Sequence, residues 1–190
     1  MYKELVKKIK VKLKPIGFLL KGDTFYIKKD NNWGLINFQK SRDSPKFTIN
    51  IGISSTILRE NREGISTEKP FVEDCHWRKR IGFFLAVNKD YWWDLDSYTN
   101  IEFLYDEMIK IVEDIAIPVI DQHISDKSLE SEWLQGKGAG LTEFQIYVNL
   151  TTLLKLTGSD ILSKTIEDIR KTIKNSTKDS FEYHLKELMK

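Results

Sequence analysis

The sequence contains one cysteine, Cys75, among its 190 residues. A lone cysteine excludes an internal disulfide and a four-cysteine zinc site, and it fits a chain that works in a reducing cytosol. The sequence also lacks any run of about 18 apolar residues, and its start has neither the apolar segment nor the cleavage site of a signal peptide. We therefore expect a cytoplasmic protein without a membrane span.

Histidine is scarce as well, since His76, His123 and His184 are the only three. They show no His-x-x-x-His spacing of a metal site, so the sequence predicts no metal ion and no cofactor. Adjacent residues on a strand point to opposite faces, which disfavours Cys75 and His76 as a nucleophile pair. One enzymatic hypothesis stays open, a metal-dependent hydrolase or nuclease that uses His76 with nearby carboxylates. Those carboxylates are Glu73, Asp74, Asp90 and Asp94.

Negative charge is nearly missing from one segment and positive charge from another, although the formal net charge is only +2. Residues 1–21 hold seven lysines against Glu4, a net +6, and residues 94–132 hold eleven carboxylates against Lys110 and Lys127, a net −9. Such blocks attract partners of opposite charge, but they are also typical of solvated helix faces. We interpret them as solvated faces.

Single-stranded nucleic-acid binding is a second open hypothesis. The lysines of the first helix, Arg80 and the tryptophans supply basic and aromatic groups of the kind that such proteins use. The overall pI of 8.4 and the acidic segment argue against it, because phosphates would be repelled.

The segment from Thr24 to Ile53 predicts three short strands in an antiparallel meander. Turn-forming residues at 30–32 and 41–45 separate them at hairpin spacing. In the third strand, apolar residues at 47, 49, 51 and 53 alternate with Thr48, Asn50 and Gly52, so one face is apolar and the other carries small polar groups. A fourth strand is predicted over residues 76–87, after a long loop at 54–74.

Helices are predicted on both sides of these strands. Apolar spacing predicts a first helix ending near Lys14, and Thr99 opens a capping box for a helix from Asn100 that Pro118 kinks or ends. A short helix is expected at 127–134, followed by a glycine-rich flexible connection at 135–140 that lacks the ending of a phosphate loop.

Three further helices are expected at the C-terminal end. The first begins at the capping box of Thr142 and stops at Gly158, the second is capped by Ser159, and the third runs over 178–189 after a break at 175–177. We predict an α+β fold, with a sheet domain at 1–134 and a C-terminal helical lobe at 141–190. Two arrangements of the lobe stay open, packing on the sheet domain or a semi-independent unit.

Six short motifs occur in order along the first two thirds of the chain. They are LKPIGF at 13–18, FY at 25–26, NFQKS at 37–41, FTINIG at 47–52, HWRKRIG at 76–82 and DYWWDL at 90–95. Together they resemble the bacterial proteins grouped as domain-of-unknown-function family 4304, over about residues 1–125. The resemblance implies no activity and no catalytic residues. None of the six motifs lies in the predicted helical lobe.

A candidate ligand site follows from the polar residues within these strands, and no catalytic residue is assigned. Amides, guanidinium groups and aromatic rings on one face would suit an anionic or peptide ligand. The residues are Asn37, Gln39, Asn50, Arg78, Arg80, Trp92 and Trp93, with Thr48 beside them. The alternative is a buried amide network that holds strand register, with the arginines paired to Asp94 and Asp96.

Our leading hypothesis is a non-catalytic binding protein with another protein as its partner. An immunity or defence role is suggested only by analogy with other small bacterial proteins. Oligomeric state stays open.

Overall fold

The computed structural model describes residues 1–64 and 68–190, and in them an antiparallel sheet is the central element. Its neighbouring strands follow chain order: β1 Leu19–Lys21, β2 Thr24–Lys29, β3 Asn32–Lys40, β4 Lys46–Ser54 and β5 Trp77–Arg80. The two-residue strand β6, Trp93–Asp94, also pairs with β4. The predicted meander and the α+β fold are confirmed.

The β2–β3 turn sets the register of the sheet. Asp30 and Asn31 both have positive φ, 49° and 63°, as a tight hairpin turn of the primed type requires. Asn32 follows within β3, where its buried side chain donates to the Ile124 carbonyl at 2.9 Å and accepts from the Thr56 amide at 2.8 Å. One turn residue thus ties the meander to two helical segments.

Helices cover the apolar face of the sheet. This face carries the fully buried residues Phe25, Ile36, Phe38, Ile49 and Ile51. The helices that share its core are α1 Tyr2–Leu13, α3 Ile101–Ile111, α4 Ile117–His123, α5 Asp126–Leu134 and α6 Glu143–Leu156. Among the described residues, none of the helices combines the length and hydrophobicity needed to cross a membrane.

The charged segments partly face each other within the molecule. Lys8 of α1 pairs with Glu102 of α3, and Lys12 lies 3.3 Å from Glu113. These contacts are exposed, so each stabilises the fold only weakly. They nevertheless show that part of the acidic segment is paired with lysines of α1.

Pro118 is accommodated without ending the helix that contains it. Between α3 and α4 the backbone widens into a π turn at Val112–Ala116, in which the Ile117 amide donates to the Val112 carbonyl. A wider turn relieves the clash between a proline ring and the carbonyl four residues earlier. The helix itself starts at Ile101 with Asn100 as its cap, one residue later than the predicted Thr99 cap.

Two predictions for the middle of the chain are wrong. Residues 54–74 are not all loop, because Ser55 caps a helix, α2 Thr56–Glu63, which is too short and too polar to show an apolar period. Residues 65–67 of the predicted loop lie outside the described part. The fourth strand ends at Arg80 instead of residue 87, because the chain enters a short 3-10 turn at Ile81–Phe83. The chain then folds back, and a Cβ added at Gly82 would lie 2.8 Å from the Tyr91 amide nitrogen.

The C-terminal helices are α6, α7 Leu162–Thr172 and α8 Asn175–Leu188. The Thr142 capping box and the Gly158 stop are confirmed. The Ser159 cap is wrong, because α7 begins after Ile161 without a side-chain cap, and the predicted break at 175–177 is the first turn of α8.

Two apolar clusters divide these helices. The inner side of α6 belongs to the main core, through Ile146, Leu150, Leu153 and Leu154. A second cluster joins α7 and α8, with Ile166, Ile169, Ile173, Phe181 and Leu185 as its buried members. The division into a sheet domain and a helical lobe stays a prediction.

Candidate functional site

A row of polar residues crosses the sheet on the face opposite the main core. Thr24, Asn37, Asn50 and Arg80 lie directly opposite one another on β2, β3, β4 and β5. The side-chain amide of Asn50 donates to Asn37 Oδ1 at 3.1 Å and to Gln39 Oε1 at 2.9 Å. The side-chain amide of Asn37 donates in turn to Thr24 Oγ1 at 2.8 Å. Because the register brings these residues opposite each other, their side chains form one hydrogen-bonded chain.

Arg80 ends this row in a small charged and aromatic cluster. Its guanidinium pairs with Asp90 and lies 5.1 Å from the centroid of the Trp92 ring. The Trp92 indole donates to the same Asp90 carboxylate at 3.2 Å. Arg80 is therefore held in a fixed orientation at the border of the polar face.

Arg78 is positioned differently. It lies opposite Gly52 of β4 and donates to the Glu73 backbone carbonyl. No carboxylate in the described part of the chain forms an ion pair with it. Its positive charge is accordingly left for another partner.

The carboxylates that we expected beside the arginines lie elsewhere. Asp94 pairs with Lys46 at 3.2 Å, and Asp96 accepts from the Thr99 hydroxyl at 3.1 Å. The predicted pairing of arginines with Asp94 and Asp96 is wrong, because the strand that carries Arg80 ends early and the chain returns with Asp90 nearest to it.

An open groove of about 360 Å³ lies between the polar row and the glycine-rich segment. It is lined by Gln39, Asn50, Val72, Glu73, Arg78, Lys79, Arg80 and Gly140. We call it the sheet groove.

The glycine-rich segment forms one wall of the sheet groove rather than the flexible connection that we expected. The Arg78 amide donates to the Ala139 carbonyl at 2.9 Å, which covers the outer edge of β5. Gly140 has φ +74°, and a Cβ there would lie 2.7 Å from the Arg78 carbonyl oxygen. A glycine is needed at this position both for its backbone conformation and for the close approach of Arg78.

The structure brings most of the predicted site residues together. Asn37, Gln39, Asn50, Arg78 and Arg80 share one face, and Trp92 stacks at its border. Trp93 does not join them, because it pairs with Phe47 of β4 and therefore lies on the apolar face of the sheet. Its side chain is in the main core, stacked on Phe47 at 5.5 Å, and its indole donates to Glu107 at 2.9 Å. Thr48 lies under the returning chain and donates to the Tyr91 carbonyl at 2.8 Å.

His76 is a buried structural residue. Its Nδ1 accepts a hydrogen bond from the Ser55 amide at 3.0 Å, at the start of α2. Burial lowers the pKa of His76 to about 4, so the ring is neutral near pH 7. Burial also raises the pKa of the Cys75 thiol, whose sulfur fills the space above Gly52.

Among the residues that the structure describes, no metal site forms around His76. The described residues contain no group of three His, Cys, Asp or Glu side chains placed to hold one ion. Of the carboxylates that we considered with it, Asp90 and Asp94 are paired with Arg80 and Lys46.

A second polar cavity, also about 360 Å³, was not predicted from the sequence. In its wall the Glu132 carboxylate accepts from the Trp77 indole at 3.1 Å and lies 3.0 Å from His123 Nδ1, and the Trp77 and His123 rings stack at 4.5 Å. Burial acts to raise the pKa of Glu132, but the bonds from His123 and Trp77 outweigh it and lower that pKa. No sequence motif links three residues from β5, α4 and α5.

Comparison with known proteins gives one match. The family model described as Domain of unknown function (DUF4304) matches residues 9–122. No curated protein and no solved structure matches the chain. The matched residues include every strand of the sheet and all seven predicted site residues, whereas α5 to α8 follow them. Since the match covers more than half of the sequence, this chain belongs to the DUF4304 family, as its motifs suggested.

Proposed function

We propose that this chain is a non-catalytic binding protein whose ligand is another protein, bound at the sheet groove. The observation that carries the proposal is Arg78, a half-buried guanidinium without a carboxylate partner in the described chain, at the centre of the groove. Guanidinium groups bind carboxylates in a planar, two-bonded geometry, and arginine is enriched where proteins meet.

The neighbours of Arg78 support a polar, directional contact. Gln39 is exposed, and its side chain is already oriented by Asn50. Arg80 is held by Asp90 and by the Trp92 ring. Donors whose positions are fixed before binding lose less conformational freedom when a ligand arrives.

Two properties of the groove support binding rather than catalysis. His76, the histidine next to the groove, is buried and does not line it, so its imidazole is not placed to act as a general base there. The polar lining of the groove consists mainly of amides and cations, which recognise anions, and Glu73 is the one carboxylate among its lining residues. We place the protein in the cytoplasm because its one cysteine is a free thiol.

The test is an affinity capture from native cell extract with and without nuclease treatment, read by mass spectrometry. The variants are Arg78→Ala, Arg80→Ala and the matched control Lys178→Ala, whose side chain lies on α8 away from the groove. We expect one stoichiometric partner that survives nuclease, is lost with either arginine variant and is retained by the control.

Lys178 is exposed, so Lys178→Ala should change the free energy of unfolding by only about 0.5 kcal/mol. Arg78 and Arg80 are half-buried, and each variant also loses a hydrogen bond or an ion pair worth about 1 kcal/mol, so circular dichroism is used to check that every variant is folded. A partner that disappears with nuclease would favour nucleic-acid binding instead. Capture that is unchanged in both arginine variants would reject the sheet groove as the binding site.

A further inference from the structure

Two more depressions adjoin the sheet groove in a row. The first, about 330 Å³, shares Glu73 and Arg78 with the sheet groove and is bordered by Phe144 and Val148 of α6. The second, about 650 Å³, shares Phe144 and Val148 with the first and lies between α6 and α8. The row therefore leads from the sheet to the C-terminal helices, and we call it the sheet-to-helix row.

The chemistry of the row changes along its length. Its sheet end carries the cations Arg78 and Arg80 and the amides of the polar row, with Glu73 beside them. Its helix end is mainly apolar, and Tyr183 on α8 is 68% exposed there. Large exposed aromatic side chains beside aliphatic ones are typical of surfaces that bind proteins.

The helix α6 explains why apolar residues are available at this end. Its inner side is already used in the main core, through Leu150 and Leu154 among others. Phe144 and Val148 lie one turn apart on another side, and both remain partly exposed. Asp179 and Glu187 stand at the rim, so the helix end would repel a phosphate backbone.

We propose that the sheet-to-helix row holds one extended segment of a partner protein, with acidic side chains at Arg78 and Arg80 and large apolar side chains over Phe144, Val148 and Tyr183. This inference rests on the proposed function and names the chemistry of the partner. Charge complementarity sets the direction of the segment, since Arg78, which forms no ion pair with a described carboxylate, is at one end and the apolar surface is at the other.

The test uses a phage-displayed library of random twelve-residue peptides, selected on the full chain. We expect enriched peptides that combine carboxylates with aromatic or aliphatic residues. Synthetic fluorescein-labelled copies of these peptides then give Kd values by anisotropy with the unaltered chain and with Arg78→Ala, Tyr183→Ser and the control Lys186→Ala on the same helix α8.

Both ends should matter for the same peptide. We expect Arg78→Ala and Tyr183→Ser each to weaken binding by about tenfold or more, and Lys186→Ala to leave it unchanged. Replacing the carboxylates of the peptide by amides should cancel the effect of Arg78→Ala, and replacing its apolar residues by serine should cancel that of Tyr183→Ser. Circular dichroism shows whether each variant is folded.

The outcomes separate this inference from the proposed function. If Arg78→Ala weakens binding and Tyr183→Ser does not, the ligand stops at the sheet groove, so the row is rejected and the proposed function stands. If no peptide is enriched, or enriched peptides respond to neither variant, the inference is rejected, and the arginine variants in the extract capture decide the proposed function independently.

Discussion

At the scale of single residues, His76 links the pH of the solution to stability. The ring is 4% exposed, and its pKa falls from 6.5 in the unfolded chain to about 4 in the folded one. Between these values the unfolded chain binds more protons, so stability is complete above about pH 6.5 and is lost as the pH falls towards 4. The loss attributable to this one group is on the order of 3 kcal/mol.

A His76→Asn variant isolates this effect, because the Asn oxygen can accept the Ser55 amide hydrogen bond without titrating. We expect urea unfolding at pH 7 and at pH 4.5 to show a smaller difference in the free energy of unfolding for the variant than for the unaltered chain. Equal pH dependence of the two proteins would show that His76 titrates normally in the fold.

At the scale of elements, the start of α6 depends on a capping box and the start of α7 does not. Thr142 accepts from the Gln145 amide, and the Gln145 side chain accepts from the Thr142 amide. We expect Thr142→Ala to lower the free energy of unfolding by about 1 kcal/mol, because it leaves a helix amide without its partner.

Ser159→Ala is the matched control for this element. Its side chain forms no cap on α7, so the free energy of unfolding should change by about 0.5 kcal/mol or less. Thermal and urea unfolding of both variants provide the measurement. Equal losses from the two substitutions would contradict the assignment of the caps.

At the scale of the whole molecule, the two apolar clusters predict which part of the chain can be removed. A chain of residues 1–140 lacks α6 and exposes the main core where Ile146, Leu150 and Leu153 had packed. A chain of residues 1–158 keeps α6 and loses the cluster of α7 and α8, together with the contacts that Ile161 and Leu162 make with the main core. We expect the longer chain to unfold cooperatively and the shorter one to lack a cooperative transition.

Calorimetry and near-UV circular dichroism on the two truncated chains measure whether each one unfolds in a cooperative transition. This prediction also tests the proposed domain boundary. A cooperative transition in residues 1–140 would support a sheet domain that ends before α6, whereas its absence would place α6 within that domain.

Local patterns explain which elements were predictable. The meander was predictable from the alternation of apolar and polar residues and from the tight turns between strands. The start of α6 was predictable because Gln145 follows Thr142 at the spacing of a capping box. Each of these patterns spans only a few residues. The helix α2 was missed because Leu58 is its main apolar contact, which is too little for a periodic pattern. The end of β5 was missed because the role of Gly82 is to let the returning chain near Tyr91 approach closely, and that contact is visible only in the folded structure.

The candidate site was predictable in part for the same reason. Asn37 and Asn50 face one another because hairpin register is set by local turns. Trp92 and Trp93 could not be distinguished, because they are adjacent in sequence and only the pairing of Trp93 with Phe47 of β4 decides which ring enters the core. Nothing in the sequence pointed to the cluster of Trp77, His123 and Glu132, whose members meet only in the fold.

The sequence by itself determined the antiparallel meander, its apolar and polar faces, the main helices and the family. These depend on contacts between residues close together in the chain, where side-chain period and turn chemistry decide the outcome. Only the tertiary structure decided that Arg78 forms no ion pair with a described carboxylate, that Trp93 is buried and that a row of depressions leads from the sheet groove to the helices α6 and α8. Those features arise where segments distant in sequence pack together, and their positions depend on the whole arrangement rather than on any local pattern.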